Sequence, residues 1–228
     1  MESSTGTGLE SLHGLYSGIL KARVRRGNVN GFQQMIEVLL ATAPYRPLRE
    51  ETIAKLAKVQ PYLVKKWVDD LSSLLYREGA NGGVRVRHLS ISEFFASDHC
   101  DYQVNTQDMH ARLGIVCLES MVDQLRFNIC RFEDSRLANA DIQDLPARVQ
   151  SNISDVLQYS SLYWSNHICF PPNNRDQRVL GSLKKFFEGV YPLFWIEVLS
   201  VMGMVPVGAP SIRRLISWVK VSTSPVCQ

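Results

Sequence analysis

Most of the short motifs that announce chemistry are missing from these 228 residues. There is no GxxxxGK[ST] loop to cradle a nucleoside triphosphate, no GxGxxG turn for a dinucleotide, no HExxH pair for zinc and no GxSxG elbow for a nucleophilic serine. Independent catalysis and independent nucleotide binding are therefore not expected. Disulfide scaffolding is excluded as well. The five cysteines, Cys100, Cys117, Cys130, Cys169 and Cys227, are odd in number, far apart and without a CxxC pair, so they read as reduced thiols in a cytoplasmic protein, Cys117 and Cys130 lying in helix cores. A strong charge of either sign is lacking too: 25 basic against 22 acidic residues leave +3, too little to imply nucleic acid or an anionic surface. The N-terminus has no basic segment followed by an apolar run, which argues against a secretory signal. Long apolar runs are also scarce. The one stretch that invites a membrane reading, 190–207, carries Glu197 near its middle with Pro192 and Pro206 near its ends, and reads as a buried helix.

What is present is an apolar share of 45%, enough for a real core in one large or two small domains, arranged almost throughout at helical spacing. Residues 1–9 are rich in Ser, Thr and Gly and are expected to be disordered. Leu12, Leu15, Tyr16, Ile19 and Leu20 then recur on one face of a first helix, which the basic cluster Lys21, Arg23, Arg25 and Arg26 closes before Gly27. A second helix runs from Asn28 or Asn30 to Pro44, and a short third one holds Ile53, Leu56 and Ala57. Gln60-Pro61 starts a fourth, with Leu63, Val64, Trp67, Val68, Leu71, Leu74 and Leu75 on one face.

After Gly79-Ala80-Asn81-Gly82-Gly83 the pattern switches. In the run Val84-Arg85-Val86-Arg87-His88 apolar and basic residues alternate with period two, as in a half-buried strand, the glycine-rich segment being its hairpin tip. Ser90 with Glu93 three residues on reads as a capping box that starts another helix and drives Phe94 and Phe95 into the core. His88 is then placed just ahead of a helix N-terminus, where backbone amides and the macrodipole favour an anion, and it is the one candidate phosphate contact.

From 106 onward the pattern is helical, with helices expected over 107–130, 146–170, 177–189, 191–202 and 211–220, and a clear loop at Pro171-Pro172-Asn173-Asn174. His110 and His167 lie on helices beside apolar residues and read as hydrogen-bonded structural histidines. The group Asp98, His99, Cys100 and Asp101 lacks a second pair at metal-ligand spacing. The expected fold is mainly α: a winged helix-turn-helix with a small β-hairpin, followed by an all-α helical domain. The domains expected are a disordered N-terminus at 1–9, linking helices at 10–43, the winged helix at 44–104, the helical domain at 105–220 and a tail at 221–228.

Several patches, in order, resemble the region that follows the P-loop core of NACHT-type STAND proteins, the fungal NOD-like receptors that often end in WD40 repeats. They are Leu15-Tyr16 and Ile19-Leu20, Pro47 and the helix to Leu75, and Val86-Arg87-His88-Leu89-Ser90-Ile91-Ser92-Glu93-Phe94-Phe95. Further on stand Gln124-Leu125-Arg126-Phe127-Asn128-Ile129-Cys130, Tyr163-Trp164 and Phe194-Trp195-Ile196-Glu197. The resemblance implies a non-catalytic signal-transduction module whose winged helix packs on a NACHT NTPase domain, supplied in cis or in trans. His88 matches the family histidine that touches the terminal phosphates of bound ADP. By the same resemblance ADP or ATP is held only through an NTPase domain, whose Walker motifs this sequence lacks, and a WD40 or other repeat sensor is a further partner. From another class, a free-standing winged-helix DNA-binding regulator would use Lys65, Lys66, Arg85 and Arg87. Asp69 and Asp70 on the same helix face nearly cancel that field.

Overall fold

The computed structural model describes residues 5–24, 28–79, 82–134, 136–170 and 176–223, with side chains described over 11–220 of these. It is mainly helical, with one two-stranded antiparallel sheet, and it divides into two compact units, Met1–Met109 and His110–Gln228. No helix among the described residues is long and apolar enough to cross a membrane.

The first unit is built around Phe32. Helix α1 (Thr5–Arg23) buries Tyr16 and Leu20, and α2 (Val29–Thr42) buries Phe32, Met35, Ile36, Val38 and Leu39. Helix α3 (Glu50–Ala57) ends on Lys58 at φ +55, and α4 (Pro61–Asp70) takes Pro61 in its first turn, where the missing N–H costs nothing. Phe32, with 0% of its surface exposed, meets Trp67 of α4 edge-on at 5.5 Å and Tyr102 at 5.2 Å. Such edge-to-face pairs add about 0.5–1.5 kcal/mol each beyond burial.

Strands β1 (Leu75–Glu78) and β2 (Gly83–Val86) pair with Leu75 opposite Val86 and Glu78 opposite Gly83. Val84 N–H also donates to the Leu48 carbonyl at 2.9 Å, tying the hairpin to the segment before α3. Gly83 permits that approach, since a Cβ there would lie 2.7 Å from Pro47 Cβ. Gly79 and Gly82 both turn at φ +63. Helix α5 (Leu89–Ala96) follows and buries Phe94 and Phe95.

The second unit packs α6 (Thr106–Gln124, from His110 onward), α7 (Leu145–Asn152), α8 (Asp155–Ile168), α9 (Gln177–Glu188), α10 (Tyr191–Val201) and α11 (Gly208–Thr223). Trp164 of α8 is its centre, fully buried against Phe186 and Trp195, whose indole N–H donates to the Ser161 carbonyl at 2.9 Å.

Four expectations from sequence are corrected. Helix α1 starts at Thr5, inside the stretch 1–9 expected to be disordered, because extending a nucleated helix by a turn costs little. Leu74 and Leu75 leave the helical face of α4: the chain turns at 71–74, and Leu75 opens β1, the partner that the alternating strand requires. The helix expected over 146–170 is two helices, broken at Ile153 where Ser154 caps α8 by accepting from Leu157 N–H at 3.1 Å. The helix expected over 107–130 stops at Gln124. There Asn128 takes φ +49 and Arg131 φ +56, and the Glu197 carboxylate of α10 accepts the N–H groups of Asn128 at 3.2 Å and Ile129 at 3.0 Å. The one charge within the apolar 190–207 stretch is thus the anchor of a turn. The sequence segments 25–27, 80–81 and 171–174, expected as a helix end, a hairpin tip and a loop, lie outside the described residues, apart from the flanking Gly79, Gly82 and Gly83.

Glu197→Ala removes both charge-assisted acceptors from that turn and is expected to lower stability by about 2–4 kcal/mol in urea unfolding, while Glu197→Gln, which keeps one acceptor oxygen, costs clearly less.

Candidate functional site

The alternating strand ends at Val86, Arg87 N–H donates to the Leu74 carbonyl at 2.9 Å, and His88 becomes the N-cap of α5 in extended conformation, φ −145 and ψ 146. Its imidazole Nδ1 accepts the backbone N–H of Ser90 at 3.2 Å and lies 2.8 Å from the Ser90 hydroxyl. Ser90 Oγ in turn lies 2.8 Å from the Tyr16 hydroxyl on α1. An Nδ1 that accepts an amide proton carries none itself, so in the neutral ring the proton sits on Nε2. The Ser90 hydroxyl then donates to Nδ1, and Tyr16 donates to Ser90. Ser90 and Tyr16 are buried, at 6% and 7% exposure, while His88 is exposed. The arrangement holds one imidazole at a helix N-terminus from behind, leaving Nε2–H as a donor for an anion.

This replaces the capping box expected between Ser90 and Glu93. The N-cap lies two residues earlier, at His88, Ser90 is the second residue of the helix, and the Ser90 amide that Glu93 was expected to take is bonded to His88. Glu93 is exposed. Tyr16, read from sequence only as a core position on α1, is the residue of this chain that spacing did not reveal. Its ring also meets Phe94 edge-on at 5.6 Å, so α1 and α5 are joined by apolar and polar contacts together.

Three of the four basic residues that a DNA contact would use are paired with carboxylates. Lys65 pairs with Asp69 at 3.5 Å, Lys66 with Asp70, and Arg85 with Glu78 at 2.5 Å. Arg87 donates to the Ser72 carbonyl at 2.8 Å and lies over the Tyr76 ring. Arg77 bridges Glu50 and Asp69, and the Arg77 hydrogen bond holds the Asp69 carboxyl below its usual range. Lys21 pairs with Asp101 at 3.2 Å, and Arg25 and Arg26 lie outside the described residues.

Around Cys100 no metal centre assembles. Its thiol is buried and pushed up to about 11 by desolvation, Asp98 accepts from Gln103, and among the described residues no three metal-ligating side chains stand together. Cys117 is likewise pushed up to about 12 by burial. His110 and His167 are bonded to each other, 2.9 Å between their Nδ1 atoms.

No protein-family model matches the chain, and neither a curated protein nor a solved structure does.

His88→Ala removes the cap of α5 and is expected to cost about 0.5–2 kcal/mol in thermal or urea unfolding, whereas His88→Asn, a strong cap residue, restores most of that loss.

Proposed function

We propose that the chain is a non-catalytic regulatory and scaffolding module of a NACHT-type NOD-like receptor. In this reading, β1, β2 and α5 with the helices before them form a winged helix that packs on an NTPase domain in the cytoplasm. His88 reads the β-phosphate of the ADP that the NTPase domain holds, and the helical unit links that switch to a repeat sensor.

One observation carries the reading. The His88 imidazole is exposed at a helix N-terminus while its Nδ1 is tied to Ser90 and, through Ser90, to Tyr16. That leaves Nε2–H as the ligand-facing donor. The site is half of an anion site: one donor and one helix end supply too little to hold a nucleotide, so the second half belongs to the partner that binds the rest of the phosphates. The ion pairs at Lys65, Lys66 and Arg85 weigh against the rival DNA-binding reading, since each cation already has a carboxylate within reach.

When the chain is joined to a matching NACHT NTPase domain, His88→Ala is expected to speed ADP release by about 10-fold or more, the worth of one hydrogen bond to a charged group. Unchanged ADP retention removes His88 from the nucleotide contact. On the isolated chain, submicromolar DNA binding that weakens steeply with salt and disappears when Lys65, Lys66, Arg85 and Arg87 are neutralised would replace this reading with the DNA-binding one.

A further inference from the structure

Three buried polar side chains in the second unit form a chain that the docking role does not use. His110 on α6 and His167 on α8 meet with Nδ1 atoms 2.9 Å apart and rings stacked at 29°, centroids 5.1 Å apart. Tyr159, eight residues earlier on α8, has its hydroxyl 2.8 Å from His167 Nε2. The Phe170 ring closes over His110 at 4.2 Å. His110 is 6% exposed and His167 0%.

Two nitrogens at 2.9 Å hold one proton between them. In one neutral arrangement His167 Nδ1–H donates to His110 Nδ1 and Tyr159 donates to His167 Nε2. In the other, His110 Nδ1–H donates to His167, and His167 Nε2–H donates to Tyr159. Both satisfy the contact with two uncharged rings. A first added proton can still be hydrogen-bonded, but it places a cation where water does not reach. A second sets N–H against N–H, and the contact has to open.

On the elements packed against α8, Arg214 and Glu197 already have hydrogen-bond partners. Helix α11, packed on α8, brings Arg214, a cation, to the Ser165 hydroxyl and the Asn166 side-chain oxygen, both at 2.9 Å. Helix α10, also on α8, brings Glu197, which is engaged with the amides of Asn128 and Ile129. On the two helices themselves the charged residues are Asp108, Arg112, Glu119 and Asp123 of α6 and Asp155 of α8. Burial alone lowers His110 to about 4, and burial with the neighbouring His110 lowers His167 to about 3.

We propose that the His110–His167 pair is an acid-sensitive latch: uncharged, it ties α6 to the end of α8, and proton uptake on a fall in pH parts the two helices and frees Phe170. The sign follows from the two lowered values. The opened state charges its imidazoles near 6.5 and the closed state does so only near 4 and 3, so the opened state binds more protons in between. The latch is fully effective above pH 6.5 and weakens as pH falls from there toward 4.

Hydrogen–deuterium exchange of the full chain, corrected for the intrinsic pH dependence of exchange, reads the opening directly. Between pH 7.5 and pH 5 the opening constant of α6 and α8 amides is expected to rise about 30-fold for each histidine, on the order of 10³ for the pair. His110→Gln with His167→Gln is expected to abolish most of that rise. A double variant with the wild-type pH dependence overturns the latch. Should the double variant not fold at neutral pH, the imidazole titrations of the wild-type chain by NMR decide. Both rings staying uncharged below pH 5 while α8 is protected supports the latch, and either ring charging near pH 6.5 with α6 and α8 still protected sinks it.

Discussion

The lone pair on Nδ1 of His88 is the constraint on which the first unit turns. Because it accepts the Ser90 amide, α5 starts where it does, and because it is occupied, the ring proton of the neutral imidazole is on the other nitrogen. The same lone pair receives the Ser90 hydroxyl, and Ser90 carries the connection to Tyr16 on α1. One acceptor atom therefore sets a helix boundary, a tautomer and a link between α1 and α5. A buried Ser–Tyr pair costs stability unless every polar atom is satisfied, and here the imidazole satisfies it. The ring thus stays exposed on one side while its inner nitrogen is committed to structure.

The second unit uses buried polarity differently. Glu197 and the His110–His167–Tyr159 chain are polar groups within helical packing, and each stabilises a contact between segments distant in sequence: Glu197 reaches Asn128, 69 residues away, and His110 reaches His167, 57 residues away. Such groups specify a register more strictly than apolar side chains do, since a shifted helix would strand them unpaired. The close approach at Gly114, where a Cβ would lie 2.6 Å from Ile168 Cδ1, fixes α6 on α8 sterically at the turn after His110. A steric and a polar restraint thus act at neighbouring points of one crossing.

What was legible in the sequence divides along the same line between local and distant causes. Helices α2, α3, α9 and α10 were readable because their apolar spacing and their proline, glycine or asparagine boundaries lie within a few residues. The mainly helical class with one hairpin was readable for the same reason, through the glycine-rich tip and the alternation at 84–88. Strand β1 was not: Leu74 and Leu75 continue the three-four spacing of α4, and only pairing with Val86 makes Leu75 a strand residue. The break at Ile153 had a local signal, Ser154 followed by Asp155 in a first helical turn, which apolar periodicity across 146–170 masked. The end of α6 had only Asn128, which takes φ +49, since the carboxylate that holds the following turn arrives from α10.

The candidate site follows the same logic. His88 stood out because a strand pattern ends and a helix pattern begins within two residues, a purely local event. Its support did not stand out, because Tyr16 reaches it across 74 residues through Ser90. The capping box failed for a related reason. A Ser-x-x-Glu match describes what two side chains can do for a helix end, but the pattern says nothing of a competing acceptor, and a histidine already in extended conformation two residues earlier offers one. Where a motif and an aromatic nitrogen contend for the same amide, the nitrogen takes precedence here, the strand end holding its backbone in place. That ordering makes the hairpin, through Arg87 and the Leu74 carbonyl, the element that positions His88.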